Sequence, residues 1–369
     1  IALVLFLAIQ PAWAFDFETL PVPTDEVFSL VFAPDGKGIY MGDDDGNIRL
    51  WDLSSGGVSV HVKTALPHGA TTSRNLVRVT SDGRHALTAY ASGNIRYLDL
   101  ATGENIWNIK FFSDQLLCLA LSPDGKLGLA SDLSTRLVLF RTQDGGIVWD
   151  FKHNGIVDDV AFSASGELIF EAETSQFRAE TLEGYLADFD FQVPGLGWAG
   201  FHDIEVAKTG VVAAAAFGEV HLYDGRNGKR LRVHKIKGEL SARIVAISPD
   251  GKRFLTKLEN GQAGLFDARS GKQLGAVGVT EEFSDIKAMA FSPDGSRFAI
   301  ADNDGRISLW RTKGLKQVAS ARIWSDGYVV FLPDGTFMTV AGAMATLLEG
   351  DGFDPSKADP VKVKSAFAK

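Results

Sequence analysis

One short turn, Asp-Gly or a close variant, recurs eight times, and each copy follows an apolar run. The copies are Asp35-Gly36, Asp82-Gly83, Asp124-Gly125, Ser165-Gly166, Thr209-Gly210, Asp250-Gly251, Asp294-Gly295 and Asp334-Gly335, at intervals of 47, 42, 41, 44, 41, 44 and 40 residues. A period of about 43 residues requires a chain of similar units stacked on one another, since one unit is too small to bury its own apolar face. The stretch Val27 to Lys63 displays the unit whole. Its runs Val27 to Phe32, Gly38 to Met41, Ile48 to Trp51 and Val58 to Val62 are separated by Pro34-Asp35-Gly36, Asp45-Gly46-Asn47 and Ser55-Gly56. Four short runs with turn chemistry between them predict a four-stranded antiparallel meander.

The third run keeps phase too. Ile48-Arg49-Leu50-Trp51-Asp52 aligns with 95–99, 137–141, 220–224, 263–267 and 307–311, each with a large apolar residue before the closing polar one. The unit around 157–190 is the most degraded, its third strand at Gln176 to Thr181 having lost the pattern. Phe291-Ser292-Pro293-Asp294-Gly295 with Asp304-Gly305-Arg306-Ile307-Ser308-Leu309-Trp310, and the matching residues of the first unit, resemble WD40 repeats over about 15–350. The resemblance implies an all-β, single β-propeller of four-stranded blades, and says little about function, because the family is defined by its scaffold. The family's Gly-His pair is almost absent. His153 holds the position, with Lys152 replacing the Gly, in a unit that lacks the Trp. A second likeness, Leu98 to Trp107 with a weaker copy at Gln143 to Trp149, is to the repeat of quinoprotein propellers.

Eight turns favour eight blades. The segment Tyr328 to Leu348 supplies three strands of the last, and the alternating stretch Phe15 to Leu20 would add its outer strand and close the ring. Seven blades and a C-terminal hairpin are the alternative. The expected organisation is a signal-peptide remnant at 1–14, a propeller at 15–352 and a surface or loose tail at 353–369. The apolar run Ile1 to Ile9, followed by Ala12-Trp13-Ala14, has the pattern of a signal core and cleavage site, with the charged leader absent. That predicts bacterial export to the periplasm or medium and no integral membrane segment in the mature chain.

A net charge of −9 over 369 residues, with no basic stripe, argues against a dedicated nucleic-acid binder. The single Cys118 lies in an apolar run and reads as a buried small hydrophobe. Asp43-Asp44-Asp45-Gly46 and Asp302-Asn303-Asp304-Gly305 carry clustered carboxylates of the kind Ca²⁺ takes, but fall where the repeat needs a turn. His68, His153, His202, His221 and His234 are scattered over different units, and no nucleophile elbow, P-loop or dinucleotide fingerprint is present. No catalytic, cofactor-binding or metal-binding residue is therefore assigned, and no cofactor is expected. Two loops attract notice. His68 and Arg74 sit in the longest interval, and Trp198, Phe201 and His202 stand among glycines; Trp324 precedes another turn. These six are the candidate partner-binding residues, although Trp198, Phe201 and Trp324 would serve equally well tucked between blades. The reading is a non-enzymatic, monomeric scaffold for a protein partner. A quinone-dependent enzyme, prompted by Trp107 and Trp149, and an envelope-assembly factor are the alternatives.

Overall fold

A computed structural model describes residues 27–43, 46–63, 75–173, 177–187, 200–238, 242–278, 285–303, 305–324, 327–339 and 358–367. Residues 1–14, the Phe15 to Leu20 stretch, and the acidic-turn residues Asp44, Asp45 and Asp304 lie outside this set.

The turn is a reliable ruler because its polar first residue, usually Asp, and its Gly each have a local task. The Asp carboxylate accepts the N–H two residues on, as Asp35 does from Lys37 (2.9 Å), Asp124 from Lys126 (3.1 Å) and Asp294 from Ser296 (3.0 Å). The Gly takes the left-handed conformation, with φ of 70° at Gly36 and 68° at Gly295. Each turn joins the first and second strands of an antiparallel meander. Blade 1 comprises Val27–Phe32, Gly38–Asp43, Ile48–Asp52 and Val58–Val62, hydrogen-bonded in that order, and blades 2, 3, 5 and 6 repeat it. In the fourth blade the described residues form three strands, Val157–Phe162, Leu168–Glu173 and Phe177–Thr181. Asp43 and Asp302 turn inward to hold their own hairpins, Asp43 accepting Asn47 N–H at 2.7 Å and Asp302 accepting Arg306 N–H at 3.0 Å.

The ring has seven blades, not eight. The inner strand of the last sheet, Ile286–Phe291, packs directly on the inner strand of the first, Val27–Phe32. One apolar cluster runs across that seam, with Val27, Ile39 and Trp51 on one side and Ala299, Leu309 and Ala319 on the other. No space is left for another blade. The strands of the eighth turn instead extend the seventh sheet outward. Gly327–Phe331 pairs with the outer strand Gln317–Trp324, and Phe337–Thr339 pairs with Gly327–Phe331. The hairpin buries Val329, Val330 and Phe337 there and satisfies an edge that would otherwise be open. This is the seven-blade-plus-hairpin arrangement, with the outer strand of the last blade supplied by Gln317–Trp324. A C-terminal helix, Pro360–Phe367, lies over the closing seam, with Val363 and Phe367 buried and the Phe367 ring edge-on to Trp51 at 5.9 Å. Lys362 anchors it to Asp334 at 2.5 Å and holds that carboxyl down to about 2.

Neighbouring blades are also bolted by ring N–H groups on their outer strands. Trp107 donates to the Thr142 carbonyl (2.7 Å) and Trp149 to that of Leu182 (2.8 Å), while Nε2 of His61 and of His234 meets the carbonyls of Leu100 (2.6 Å) and Ala268 (3.0 Å). Each acceptor is the residue just after the third strand of the next blade. The two tryptophans that resemble quinoprotein repeats thus have a structural use that needs no cofactor.

Candidate functional site

The seven inner strands enclose a central cavity of about 1120 Å³. Each is the terminal strand of its sheet, and at several seams polar side chains reach across to the next blade. In blades 1, 4 and 5 the inner strand slips register after its first residue, between Val27 and Ser29, Val157 and Asp159, and Phe201 and Asp203. The residue after the slip reaches the neighbouring strand. Ser29 Oγ accepts Val77 N–H (3.0 Å) and donates to the Asn75 carbonyl (3.1 Å). Asp159 accepts Ile204 N–H at 2.8 Å, Asp203 accepts Val245 N–H at 2.7 Å, and Glu205 accepts Ile247 N–H at 2.5 Å. These bonds link blades 4 to 5 and 5 to 6.

Burial in the channel wall raises all three carboxyls. Asp203 goes well above its ordinary value, with Asp159 beside it adding to the effect, and Glu205 rises to about 7. A carboxyl raised in the folded state binds its proton there at a pH where the unfolded chain has released it, so Glu205 lowers stability as pH climbs from about 4.5 to about 7. Glu205 is half-buried and touches channel solvent, which reduces the effect. Glu205→Gln is expected to leave urea stability unchanged at pH 4 and to raise it by about 1–2 kcal/mol at pH 8. An equal change at both pH values would assign the effect to packing.

At one end of the channel an arc of exposed and half-buried side chains crosses four blades. It contains His202, Asp158, Phe217, Arg243, Lys257 and Asp285. His202 Nδ1 lies 3.3 Å from Asp158, and its ring meets Phe217 edge-on at 4.6 Å. The exposed Arg243 guanidinium lies over the same Phe217 ring, 4.4 Å from its centre. Lys257 is paired with Asp285, which also has Lys287 at 3.9 Å. This end carries the connections between blades and the turns between second and third strands.

Of the sequence candidates, His202 is in this arc. Phe201 is 1% exposed, its ring packed against Phe177 and His221 at 5.2 Å each, so it is a core residue with no surface to offer a partner. His68, Arg74 and Trp198 lie outside the described residues, as does the Trp324 side chain. Phe217, Arg243, Asp158 and Lys257 escaped sequence reasoning, because they come together only on ring closure. A signal was present: Val157-Asp158-Asp159-Val160 and His202-Asp203-Ile204-Glu205 put clustered charge into the strand that in blade 3 reads Leu116-Leu117-Cys118-Leu119-Ala120.

The profile of the family described as WD domain, G-beta repeat matches residues 17–52 and 278–311. The human angio-associated migratory cell protein is 25% identical over 220 residues, covering 55% of this chain and 49% of that protein. A periodic tryptophan protein 2 homolog of Dictyostelium discoideum is 20% identical over 256 residues, 68% of this chain and 22% of the relative. A guanine nucleotide-binding protein subunit beta of Arabidopsis thaliana is 31% identical over 107 residues, 27% of this chain and 28% of the relative. The chain therefore spans between about a fifth and a half of these relatives. They are eukaryotic WD-repeat proteins, which overturns the expectation of a bacterial periplasmic or secreted protein drawn from the apolar N-terminus. Among the described residues no helix is long and apolar enough to cross a membrane.

Proposed function

We propose that this chain, a WD40-repeat β-propeller, is a non-enzymatic scaffold that docks a protein partner over the channel mouth bearing His202. The observation that carries this reading is the arc from Asp158 to Asp285. It offers an exposed Arg243 and a part-covered aromatic, Phe217, within a rim of paired charges, the composition of an interface anchor. WD-repeat relatives support the scaffold role. The opposite face, built from Asp-Gly turns, presents solvated pairs such as Lys126 with Asp124 (3.5 Å); its exposed aromatic, Tyr185, stands in a blade 4 turn away from the rim of paired charges around the channel mouth.

The test places a photo-crosslinking residue at position 243 and, separately, at position 126. Crosslinks to the same partner from 243 and none from 126 are expected. Arg243→Glu should weaken that partner's binding by about 10-fold or more, and Lys126→Glu should not. Crosslinking from 126 alone, or equal loss in both variants, would overturn the choice of face.

A further inference from the structure

Blade 4 breaks its own repeat at two buried positions. The fourth residue of every second strand is Met41, Thr88, Ala130, Ala214, Thr256 or Ile300; in blade 4 it is Glu171. The third-strand position opposite the second residue of that strand holds Trp51, Leu98, Phe140, Tyr223, Phe266 or Trp310; in blade 4 it holds Glu180. Two carboxyls thus occupy positions that pack the core elsewhere. They share a face with Ile169, which packs against blade 3. A third, Glu173, stands where blades 1, 3 and 7 have Asp43, Asp132 and Asp302. His153 arrives from the connection between blades 3 and 4, its backbone N–H fixed to the Thr135 carbonyl at 2.8 Å.

We propose that His153, Glu171 and Glu173 bind a divalent transition-metal ion, of the Zn²⁺ or Mn²⁺ kind, in the seam between blades 3 and 4. His153 Nδ1 lies 3.2 Å from Glu173 Oε1 and 3.8 Å from Glu171 Oε2, and one ligand atom from each residue falls within 4.8 Å of the others. Bonds of about 2.1 Å in tetrahedral geometry separate ligand atoms by about 3.4 Å, so small adjustments admit an ion. The independent indication is Glu171 itself. Its side chain is fully buried and neither carboxylate oxygen receives a hydrogen bond from a donor. Among the described residues, beyond His153 at 3.8 Å, the Glu180 carboxyl faces it, and a bond between those two carboxyls requires a shared proton. A buried carboxylate without a donor is costly, and a cation removes that cost. Imidazole with carboxylates suits Zn²⁺ and Mn²⁺, while Ca²⁺ favours six or more oxygens. Glu180 or a water completes the coordination. Arg178, 3.4 Å from Glu173, leaves that carboxylate shared between two cations. The ion would fasten the connection carrying His153 to the second strand of blade 4, a blade without its apolar third-strand residue.

The test uses the full chain, dialysed against chelator and titrated with ZnCl₂, MnCl₂ and CaCl₂ at pH 7.5. One Zn²⁺ or Mn²⁺ per chain with Kd of about 10 μM or below is expected, with Tm raised by at least about 4 °C at a hundredfold excess over Kd and Ca²⁺ much weaker. Electron spin-echo spectra of the Mn²⁺ form should show one coordinated imidazole nitrogen, lost in His153→Gln. Glu171→Met installs the blade 1 residue, so it should fold and bind at least about 100-fold more weakly. Absence of 1:1 binding at 100 μM of either ion, or wild-type affinity in both variants, would overturn the proposal. If Glu171→Met fails to fold, the wild-type spectrum still decides: a Mn²⁺ form without imidazole coupling overturns it.

Discussion

Trp51→Ala is expected to lower stability by about 3–5 kcal/mol and to release the C-terminal helix. Trp51 has no exposed surface, donates its indole N–H to the Gly56 carbonyl at 3.1 Å, and meets Phe367 edge-on. Its ring fills the seam where blade 7 closes on blade 1. Truncation opens a cavity there, since the surrounding β-strands cannot collapse into it without breaking their pairing. Guanidinium unfolding gives the cost, and limited proteolysis at Pro360–Phe367 reports the helix. Trp310 holds the same repeat position in blade 7 but is half-buried, its indole donating to Ser308 Oγ at 2.9 Å. Trp310→Ala should therefore cost about 1–2 kcal/mol. Equal costs would show that repeat position, rather than the helix-covered seam, sets the contribution.

Trp149→Ala is expected to cost about 3 kcal/mol and to raise hydrogen exchange first in blade 4. The indole is 9% exposed, stacks on Phe151 at 4.9 Å, and its N–H holds the Leu182 carbonyl across the seam. Trp149→Phe keeps most of the packing and loses the bond, so it should cost about 1–2 kcal/mol. A Phe variant as damaging as the Ala variant would make the hydrogen bond the dominant contribution. The seam is the weaker one on physical grounds, since Glu180 stands on its blade 4 side where Trp51 or Phe140 packs elsewhere.

The repeat was legible because its turn is a local necessity. A short polar residue, Asp in five of the seven blades, and a Gly that turns left-handed sit where first and second strands meet, whatever the distant contacts. Counting those turns misled by one, because the Asp334-Gly335 hairpin has the same local chemistry as a blade yet pairs edge-on with Gln317–Trp324. Turn chemistry records a hairpin, not the place where its sheet docks. The third strand of blade 4 lost its pattern in sequence and kept its register in space, with Glu180 opposite Ile169. Backbone pairing carried it, and the apolar residue that marks its counterparts is absent. Phe201 takes the second of the two readings its sequence allowed, packed between blades. Glycines on its N-terminal side suggested a loop, but it begins an inner strand whose register slip turns it into the core.

By itself, then, the order of residues determined the antiparallel meander, its period, the stacking of units and the burial of Cys118, since each follows from contacts within about 45 residues or from the alternation of apolar side chains. Blade number, the arc at the channel mouth and the company of His153 were decided by ring closure. Closure depends on the wedge angle at which successive sheets pack, a property of side-chain volume summed around seven seams. It brings Asp158 and Asp285 to one rim although 127 residues separate them.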